Sequence, residues 1–309
     1  MVIGLDIGTG FVKAVSAEKR VMFPSVYVQR YNGLWSDDAP LEAVGEKAIE
    51  LMRYPNAEVY RPIKEGRFQD KAVIALAADA LKRLEVVPPA AAVIGVPWIT
   101  PKIERERVRK ILTGSDLFHE VAIFPQPLGT VAYMGFKSMV VVDIGQGTTD
   151  ALAIEWVNGK PKYLGGFTDT VAFDTVIDIV KNDILRNFGL EVPDELIRDL
   201  LLGGVERIVA WGPSGRVTVR LADVEKTLEV AKERVSRRLA YRVKELLTSL
   251  PPGVECINRV VVSGGGAYVF RKALEESLNA DTDMPDDPVF ANAIGFYKIA
   301  SELFGKQYE

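Results

Sequence analysis

The sequence is poor in the two residue types that most often build metal and redox sites. Its 309 residues include one cysteine, Cys256, and one histidine, His119. A single cysteine cannot form an internal disulfide, and the missing His/Cys cluster disfavours a structural zinc site. A Ser-His-Asp triad would have to use His119, but no nucleophile-elbow sequence accompanies it. We therefore interpret His119 as a packing or capping residue.

Long hydrophobic runs and a strong net charge are also missing. The longest apolar stretch, residues 86–99, contains three prolines and is too short to span a bilayer. The net charge of −4 disfavours non-specific nucleic-acid binding over the whole surface. No charged leader precedes the apolar N-terminal segment, so we expect a cytoplasmic protein with no signal peptide and no transmembrane segment.

The chain contains a weak internal repeat. Residues 2–13 read VIGLDIGTGFVK and residues 139–150 read MVVVDIGQGTTD, so an apolar run followed by Asp-Ile-Gly-x-Gly recurs 137 residues later. Each copy predicts a buried strand that enters a glycine turn. Since a domain has about 150 residues, the repeat predicts two related α/β domains that face one another.

The remaining pattern predicts further strands and helices. Predicted strands cover residues 11–17, 21–28, 91–96 and 260–262, a hairpin covers residues 151–165, and a short β pair lies around residues 213–215. Predicted helices cover residues 41–52, 70–84, 102–112, 128–134, 172–188, 193–202, 222–249 and 288–304. The last helix has Asp287 as its predicted N-cap and Pro288 at its first position. Residues 33–40 are predicted to form a loop.

The glycine turns suit a phosphate ligand. Glycine allows backbone N–H groups to approach an anion closely, and a carboxylate at a strand end can hold a hydrated cation. The residues with this potential are Asp6, Gly8, Thr9, Gly10 and Lys13 at the first turn, Asp143, Gly145, Gly147, Thr148, Thr149 and Asp150 at the second, and the cluster Gly264, Gly265 and Gly266. The threonines could instead serve turn formation, and Lys13 could be a solvated strand residue. Two such turns at equivalent points of a repeat favour phosphate binding.

Five segments, in order, resemble the signature of the actin, heat-shock-chaperone and sugar-kinase ATPase superfamily. They read GLDIGTGFVK, FPQPLGTVAYMG, VVVDIGQGTTD, VVVSGGGAYVF and PVFANAIGFYKIA, and they extend from residue 4 to residue 300. Within that superfamily the chain is most similar to archaeal actin-like proteins and to bacterial actin-like proteins of the ParM type. The resemblance implies an α/β fold of two related actin-like (ribonuclease H-like) domains with a nucleotide cleft between them.

The resemblance also implies the domain limits. The first domain would cover residues 1–137, with an inserted subdomain at about residues 24–72. The second would cover residues 138–309, with an inserted subdomain at about residues 180–222. The C-terminal helix, residues 288–304, would pack back on the first domain.

Roles of individual residues follow from the same resemblance. Asp6 and Asp143 would hold a magnesium ion, partly through its waters. The phosphates would be held by Gly8, Thr9, Gly10 and Lys13 on one side and by Gly145, Gly147, Thr148 and Thr149 on the other. Gly264, Gly265 and Gly266 would approach the adenosine, and Lys232 and Glu233 would lie beside the base and ribose. Gln126 would position the attacking water, with Asp143 and Asp150 as the other catalytic residues.

These roles predict an ATPase, or GTPase, that uses Mg²⁺ and assembles into cytoskeletal filaments by self-association, with any adaptor protein unidentified. The alternatives are a non-polymerising chaperone-like or reactivating ATPase and a small-molecule kinase of the same superfamily. Gln146 stands where actin has an acidic residue, and Asp150 stands where actin has a histidine. The group that assists the attacking water besides Gln126 therefore stays open, as do the choice between ATP and GTP and the cellular role.

Overall fold

The computed structural model describes residues 1–31, 41–52, 54, 56–64, 66–213 and 215–305. The loop predicted over residues 33–40, and Ser214 of the predicted β pair, lie outside the described residues. Among the helices of the described ranges, none combines the length and the apolar character needed to cross a membrane.

Strands and helices alternate along the chain. Up to residue 138 the elements are β1 (Val2–Ile7), β2 (Phe11–Val15), β3 (Arg20–Pro24), β4 (Tyr27–Arg30), β5 (Leu41–Val44), α1 (Glu46–Leu51), β6 (Ala57–Tyr60), β7 (Ile63–Lys64), β8 (Arg67–Phe68), α2 (Asp70–Arg83), β9 (Ala90–Val96), α3 (Lys102–Thr113), β10 (Phe118–Pro125) and α4 (Gln126–Tyr133). The elements that follow are β11 (Met139–Ile144), β12 (Thr149–Val157), β13 (Lys160–Asp169), α5 (Phe173–Phe188), α6 (Asp194–Leu201), β14 (Arg207–Gly212), β15 (Gly215–Arg220), α7 (Leu221–Ser249), β16 (Val260–Ser263), α8 (Ala267–Leu278) and α9 (Ala291–Phe304).

The internal repeat folds into two sheets with the same local topology. The first has the strand order β10-β9-β1-β2-β3 and the second the order β13-β12-β11-β16. β1 pairs antiparallel with β2 and parallel with β9, and β11 pairs antiparallel with β12 and parallel with β16. Both repeated strands are almost entirely buried, which agrees with their continuous apolar runs. Asp6 and Asp143 therefore occupy equivalent positions at the carboxyl ends of these strands.

The strand predicted over residues 21–28 is divided in two. β3 stays in the first sheet, whereas β4 is the central strand of a separate three-stranded sheet with the order β5-β4-β6. The Ser25 N–H still donates to the carbonyl of Gly10 at 2.9 Å, in register with the β2–β3 ladder. The next N–H, that of Val26, donates to the carbonyl of Pro24 at 2.9 Å, and this tight turn ends the strand.

The prediction of a helix over residues 41–52 was wrong for the first third of that range. Residues Leu41–Val44 form β5, which pairs antiparallel with β4. The helix begins only after Gly45, which adopts a φ of 66°, a left-handed value that favours glycine. Helical periodicity in the sequence could not reveal this pairing partner.

The start of the C-terminal helix was also wrong. α9 begins at Ala291 with Phe290 as its N-cap, not at Pro288 with Asp287 as N-cap. The carbonyl of Pro288 accepts a hydrogen bond from the N–H of Gly264 at 3.0 Å, so this residue is fixed to the end of β16. Asp287 instead accepts from the N–H of Phe290 in the turn before the helix.

Two helices connect the sheets. α4 leads from β10 of the first sheet to β11 of the second, and α9 packs on β1, on β9 and on α4. The two helices cross with their backbones in contact, because a Cβ atom added to Gly295 would overlap the carbonyl oxygen of Gly129. Side chains from both helices and both sheets share one buried core there, including Val93, Val131 and Val141.

We expect Gly295→Ala to destabilise the protein by about 1–3 kcal/mol, because the added methyl group forces the crossing helices apart. Gly305→Ala is the matched control, since Gly305 caps the same helix and an added Cβ meets nothing within 4 Å. The control should change the free energy of unfolding by less than about 0.5 kcal/mol. Urea unfolding measures both variants, and equal stabilities would contradict the close crossing.

Candidate functional site

Asp6 lies at the end of β1 and is 2% exposed. Its Oδ1 accepts a hydrogen bond from Gln126 Nε2 at 2.7 Å, and its Oδ2 lies 3.2 Å from Lys13 Nζ. The antiparallel register places Lys13 directly opposite Asp6 on β2, and Gln126 is the first residue of α4. One amide and one ammonium group therefore hold this carboxylate.

Asp143 lies at the equivalent position of β11. Asn292 Nδ2, on α9, donates to Asp143 Oδ2 at 2.7 Å, and Asn292 Oδ1 accepts from Thr130 Oγ1 at 2.8 Å. The Thr130 hydroxyl also lies 2.8 Å from the Ser263 hydroxyl at the end of β16. Burial, followed by repulsion from Asp6, raises the pKa of Asp143 to about 7. The two carboxylates therefore share one poorly solvated environment.

Lys13 is the positive charge of this group. Burial alone would lower the pKa of the Lys13 ammonium, but attraction by Asp6 and Asp143 outweighs burial and the pKa lies above its ordinary value. Lys13 therefore stays charged at neutral pH and can bind an anion.

These groups open into one cavity of about 310 Å³ between the two halves of the chain. The residues predicted from the sequence that line it are Asp6, Gly8, Thr9, Gly10, Lys13, Gln126, Asp143, Gly145, Thr148, Asp150, Gly264, Gly265 and Gly266. Residues far apart in the chain are thus brought together around a space that is large enough for a ligand.

The first two glycine turns meet at this cavity. Gly147 N–H donates to Thr9 Oγ1 at 3.1 Å, and the Gln146 side chain lies directly over Gly10, where an added Cβ would overlap it. Gln146 Oε1 is buried and has no hydrogen-bond partner among the described residues. An unsatisfied polar atom beside two glycine turns suits a polar ligand.

The third glycine cluster combines packing with access. Gly264 has a φ of 79°, and a Cβ added there or at Gly266 would overlap Ile144 of β11. Gly265, between them, has no atom within 4 Å of an added Cβ. Two of the glycines therefore allow the turn to pack on the second sheet, and the middle one borders open space.

Asp150, on β12, accepts hydrogen bonds from both halves of the chain. Its Oδ1 accepts from the Trp98 N–H at 2.8 Å and from Thr168 Oγ1 at 2.5 Å. Its Oδ2 lies 3.5 Å from Thr148 Oγ1, which is at the limit of a hydrogen bond. Burial raises the pKa of Asp150 to about 6, although the bonds from Thr168 and Trp98 oppose the rise.

Family comparisons agree with this arrangement. A family model described as "Actin like proteins N terminal domain" matches residues 4–129, and one described as "Archaeal actin homologue MreB-like, C-terminal" matches residues 141–276. The two matches are consecutive, and each contains one of the two aspartates. The chain belongs to the actin-like superfamily.

Individual relatives of this actin-like protein match over nearly their whole length. An archaeal actin homolog of Thermoplasma volcanium is 26% identical, over 98% of this chain and 99% of the relative. Two solved structures share the fold. A MamK double helical filament has a TM-score of 0.79 at 21% identity, over 98% of this chain and 99% of the other. MreB5 of Spiroplasma citri bound to ADP has a TM-score of 0.80 at 19% identity, over 99% and 97%.

The donor set of this actin-like protein fits a magnesium ion. Mg²⁺ is typically held by one or two carboxylates, with phosphates and waters completing its shell. Asp6 and Asp143 supply two carboxylates. The described part of the chain contains no group of three or more His, Cys, Asp or Glu residues that could hold a metal, so phosphates and waters would have to complete the shell. After burial, repulsion from Asp6 is the next cause of the raised pKa of Asp143, and a cation between the two carboxylates would relieve that repulsion.

Four predicted residues are not part of the cavity lining. Gly147 and Thr149 belong to the second turn, but Thr149 Oγ1 donates to the carbonyl of Val171 at 2.8 Å. Lys232 and Glu233 lie on α7, where each forms an ion pair with a neighbour on the same helix. Their assignment to the nucleotide stays a prediction.

Several residues of the site were missed from the sequence. Asn292 lies within the fifth motif, but nothing local indicates that its amide reaches Asp143. Phe173, Arg198 and Tyr268 also line the cavity and carry no local signal of a site. His119, interpreted as a packing or capping residue, is exposed on β10 and outside the cavity lining.

We expect Asp150→Asn to reduce the pH dependence of stability. The folded chain binds the Asp150 proton more tightly than the unfolded chain, so the free energy of unfolding should fall as pH rises from about 4 to about 6. The variant should lose about 1–3 kcal/mol less than wild type over this interval. Urea unfolding in EDTA at several pH values measures this effect, with exposed Asp281→Asn as control. Parallel curves for Asp150→Asn and wild type would contradict the raised pKa.

Proposed function

We propose that this actin-like protein binds a magnesium-bound nucleoside triphosphate, ATP or GTP, in the cavity, hydrolyses it and assembles into filaments. One observation carries the proposal: two buried aspartates end equivalent strands of a repeat and face the same cavity, each beside a glycine turn. A ligand that engages both must carry several negative charges and a cation, which is the chemistry of a magnesium triphosphate.

The phosphates would lie between the first two glycine turns. Lys13 supplies a partly buried positive charge, and the backbone N–H groups of both turns can point at phosphate oxygens. Asp6 and Asp143 would hold the magnesium ion, which neutralises charge on the phosphates when bound. The nucleoside would lie against Gly265, where the backbone is uncovered, and MreB5, which has the same fold, is bound to ADP.

Gln126 and Asp150 would act on the attacking water. Gln126 uses its Nε2 to donate to Asp6, so its Oε1 can accept from a water in the cavity. Asp150 Oδ1 accepts the two short hydrogen bonds, from Trp98 and Thr168, whereas Oδ2 has, among the described residues, only the 3.5 Å contact with Thr148. Asp150 Oδ2 is therefore available as an acceptor. A carboxyl with a pKa of about 6 is mostly ionised at neutral pH and remains basic enough to take a proton.

Filament assembly would follow from closure of the cleft. A triphosphate that contacts both glycine turns stabilises one relative position of the two halves, and loss of the terminal phosphate removes part of that contact. A head-to-tail contact that requires the closed form generates an open filament, because its rotation does not close into a ring. The match to a protein solved as a double helical filament supports this outcome.

The test is assembly of the wild-type protein with magnesium and either ATP or GTP. Light scattering and pelleting should show polymer above a critical concentration, and electron microscopy should show filaments. Chelation of magnesium by EDTA should prevent assembly. If no polymer forms with either nucleotide across salt, temperature and concentration, the filament proposal fails, and a chaperone-like ATPase or a kinase takes its place.

Gln126→Ala should slow phosphate release by about 100-fold, since a positioned proton-transfer or water-orienting group contributes about 10²–10⁴. Nucleotide affinity should change by less than about threefold, because the phosphates are held by Lys13 and the glycine turns. Single-turnover phosphate release and equilibrium nucleotide binding measure the two effects. Unchanged release, or an equal loss of affinity, would remove Gln126 from the water-positioning role.

A further inference from the structure

Arg198 brings a second cationic side chain into the nucleotide cavity. It stands on α6, in the segment between α5 and β14, and its side chain is only 14% exposed. Arg198 lines the same cavity as Thr9, Gly10 and Gln146, the residues at which the first two glycine turns meet. An arginine on the exposed face of a surface helix would point into solvent, whereas this one faces the cavity.

The guanidinium of Arg198 lacks a well-placed counter-ion. Within the described ranges its one ion pair is with the adjacent Asp199, at 3.5 Å through Nε. The guanidinium carbon lies 5.2 Å from the Phe11 ring centroid. A cation–π contact compensates only part of the cost of removing a guanidinium from water. The remaining donors are suited to an anion in the cavity.

The position of Phe11 indicates which part of a nucleotide Arg198 would meet. Phe11 follows the first glycine turn directly and begins β2. The tips of the two turns are where terminal phosphates would lie, since only these groups contact both turns. The nucleoside side of the cavity is marked instead by Gly265 and Tyr268 of the third cluster and α8.

The same helix also contacts the first half of the chain. Glu195, one turn before Arg198 on α6, forms an ion pair with Arg61 at 3.6 Å. Arg198 itself reaches Phe11, which is in the first sheet. α6 is therefore attached across the cleft at two points, one of which borders the phosphate position.

We propose that Arg198 binds the terminal phosphate of the nucleotide and thereby holds α6 over the cavity, a contact that hydrolysis removes. This inference rests on the proposed function, since it names a further ligand of the same nucleotide. A guanidinium forms two parallel hydrogen bonds with a phosphate, so the contact distinguishes a triphosphate from a diphosphate at the glycine turns. The position of α6 would then depend on whether a triphosphate or a diphosphate is bound.

The test compares wild type, Arg198→Ala and Arg198→Lys in binding a non-hydrolysable triphosphate and the matching diphosphate, using the nucleoside that wild type prefers. Arg198→Ala should weaken triphosphate binding by about tenfold or more and diphosphate binding by less than about threefold. Arg198→Lys should recover part of the loss, because it keeps the charge but not the paired geometry. Arg186→Ala, an exposed arginine on α5, is the matched control and should resemble wild type.

Hydrogen exchange supplies a readout independent of affinity. In wild type the triphosphate should protect the amides of α6 more than the diphosphate does, and in Arg198→Ala this difference should disappear at saturating nucleotide. Thermal unfolding checks that the variants are folded.

Each outcome decides the proposal. Equal weakening of triphosphate and diphosphate binding overturns the terminal-phosphate contact, and so does unchanged affinity for both, while the proposed function stands in either case. If wild type binds neither nucleotide, the proposed function itself fails and the inference fails with it.

Discussion

The burial of two carboxylates beside one another is the constraint on which the rest of this actin-like protein depends. Neither Asp6 nor Asp143 is accessible enough to be solvated by bulk water, so each needs donors within the protein. The donors are Gln126 and Asn292, and they stand on the two helices that cross between the sheets. The two buried aspartates therefore require α4 and α9 to lie where their amide side chains can reach the cavity.

The hydrogen bonds of the crossing helices extend to both halves of the chain. α4 bonds to the first sheet through Gln126 and to the second through the Thr130 contact with Ser263, and Thr130 also joins Asn292 of α9. A change in charge at either aspartate therefore reaches a connecting helix within a single hydrogen bond. This gives a short physical path from the contents of the cavity to the relative position of the sheets.

Local patterns in the sequence predicted the parts of the site that are local in the chain. The Asp-Ile-Gly-x-Gly repeat located both aspartates and both turns, because a buried strand and its following turn are encoded by adjacent residues. The partner of Asn292 and the cavity-facing position of Arg198 arise from helix placement, which no local pattern encodes. β5 was read as helix for the same reason, since its strand conformation depends on pairing with β4.

The crossing at Gly129 and Gly295 is where the backbones of the two connecting helices touch. At the point of crossing the glycine backbones touch and no side chain lies between them, whereas the packed side chains on either side resist large rotations. A rotation of about 10° at such a pivot would displace a point about 40 Å away, roughly the length of a 29-residue helix such as α7, by about 7 Å. A small rotation at this crossing, next to the buried aspartates, would therefore move the far ends of the two halves by more than the length of a hydrogen bond.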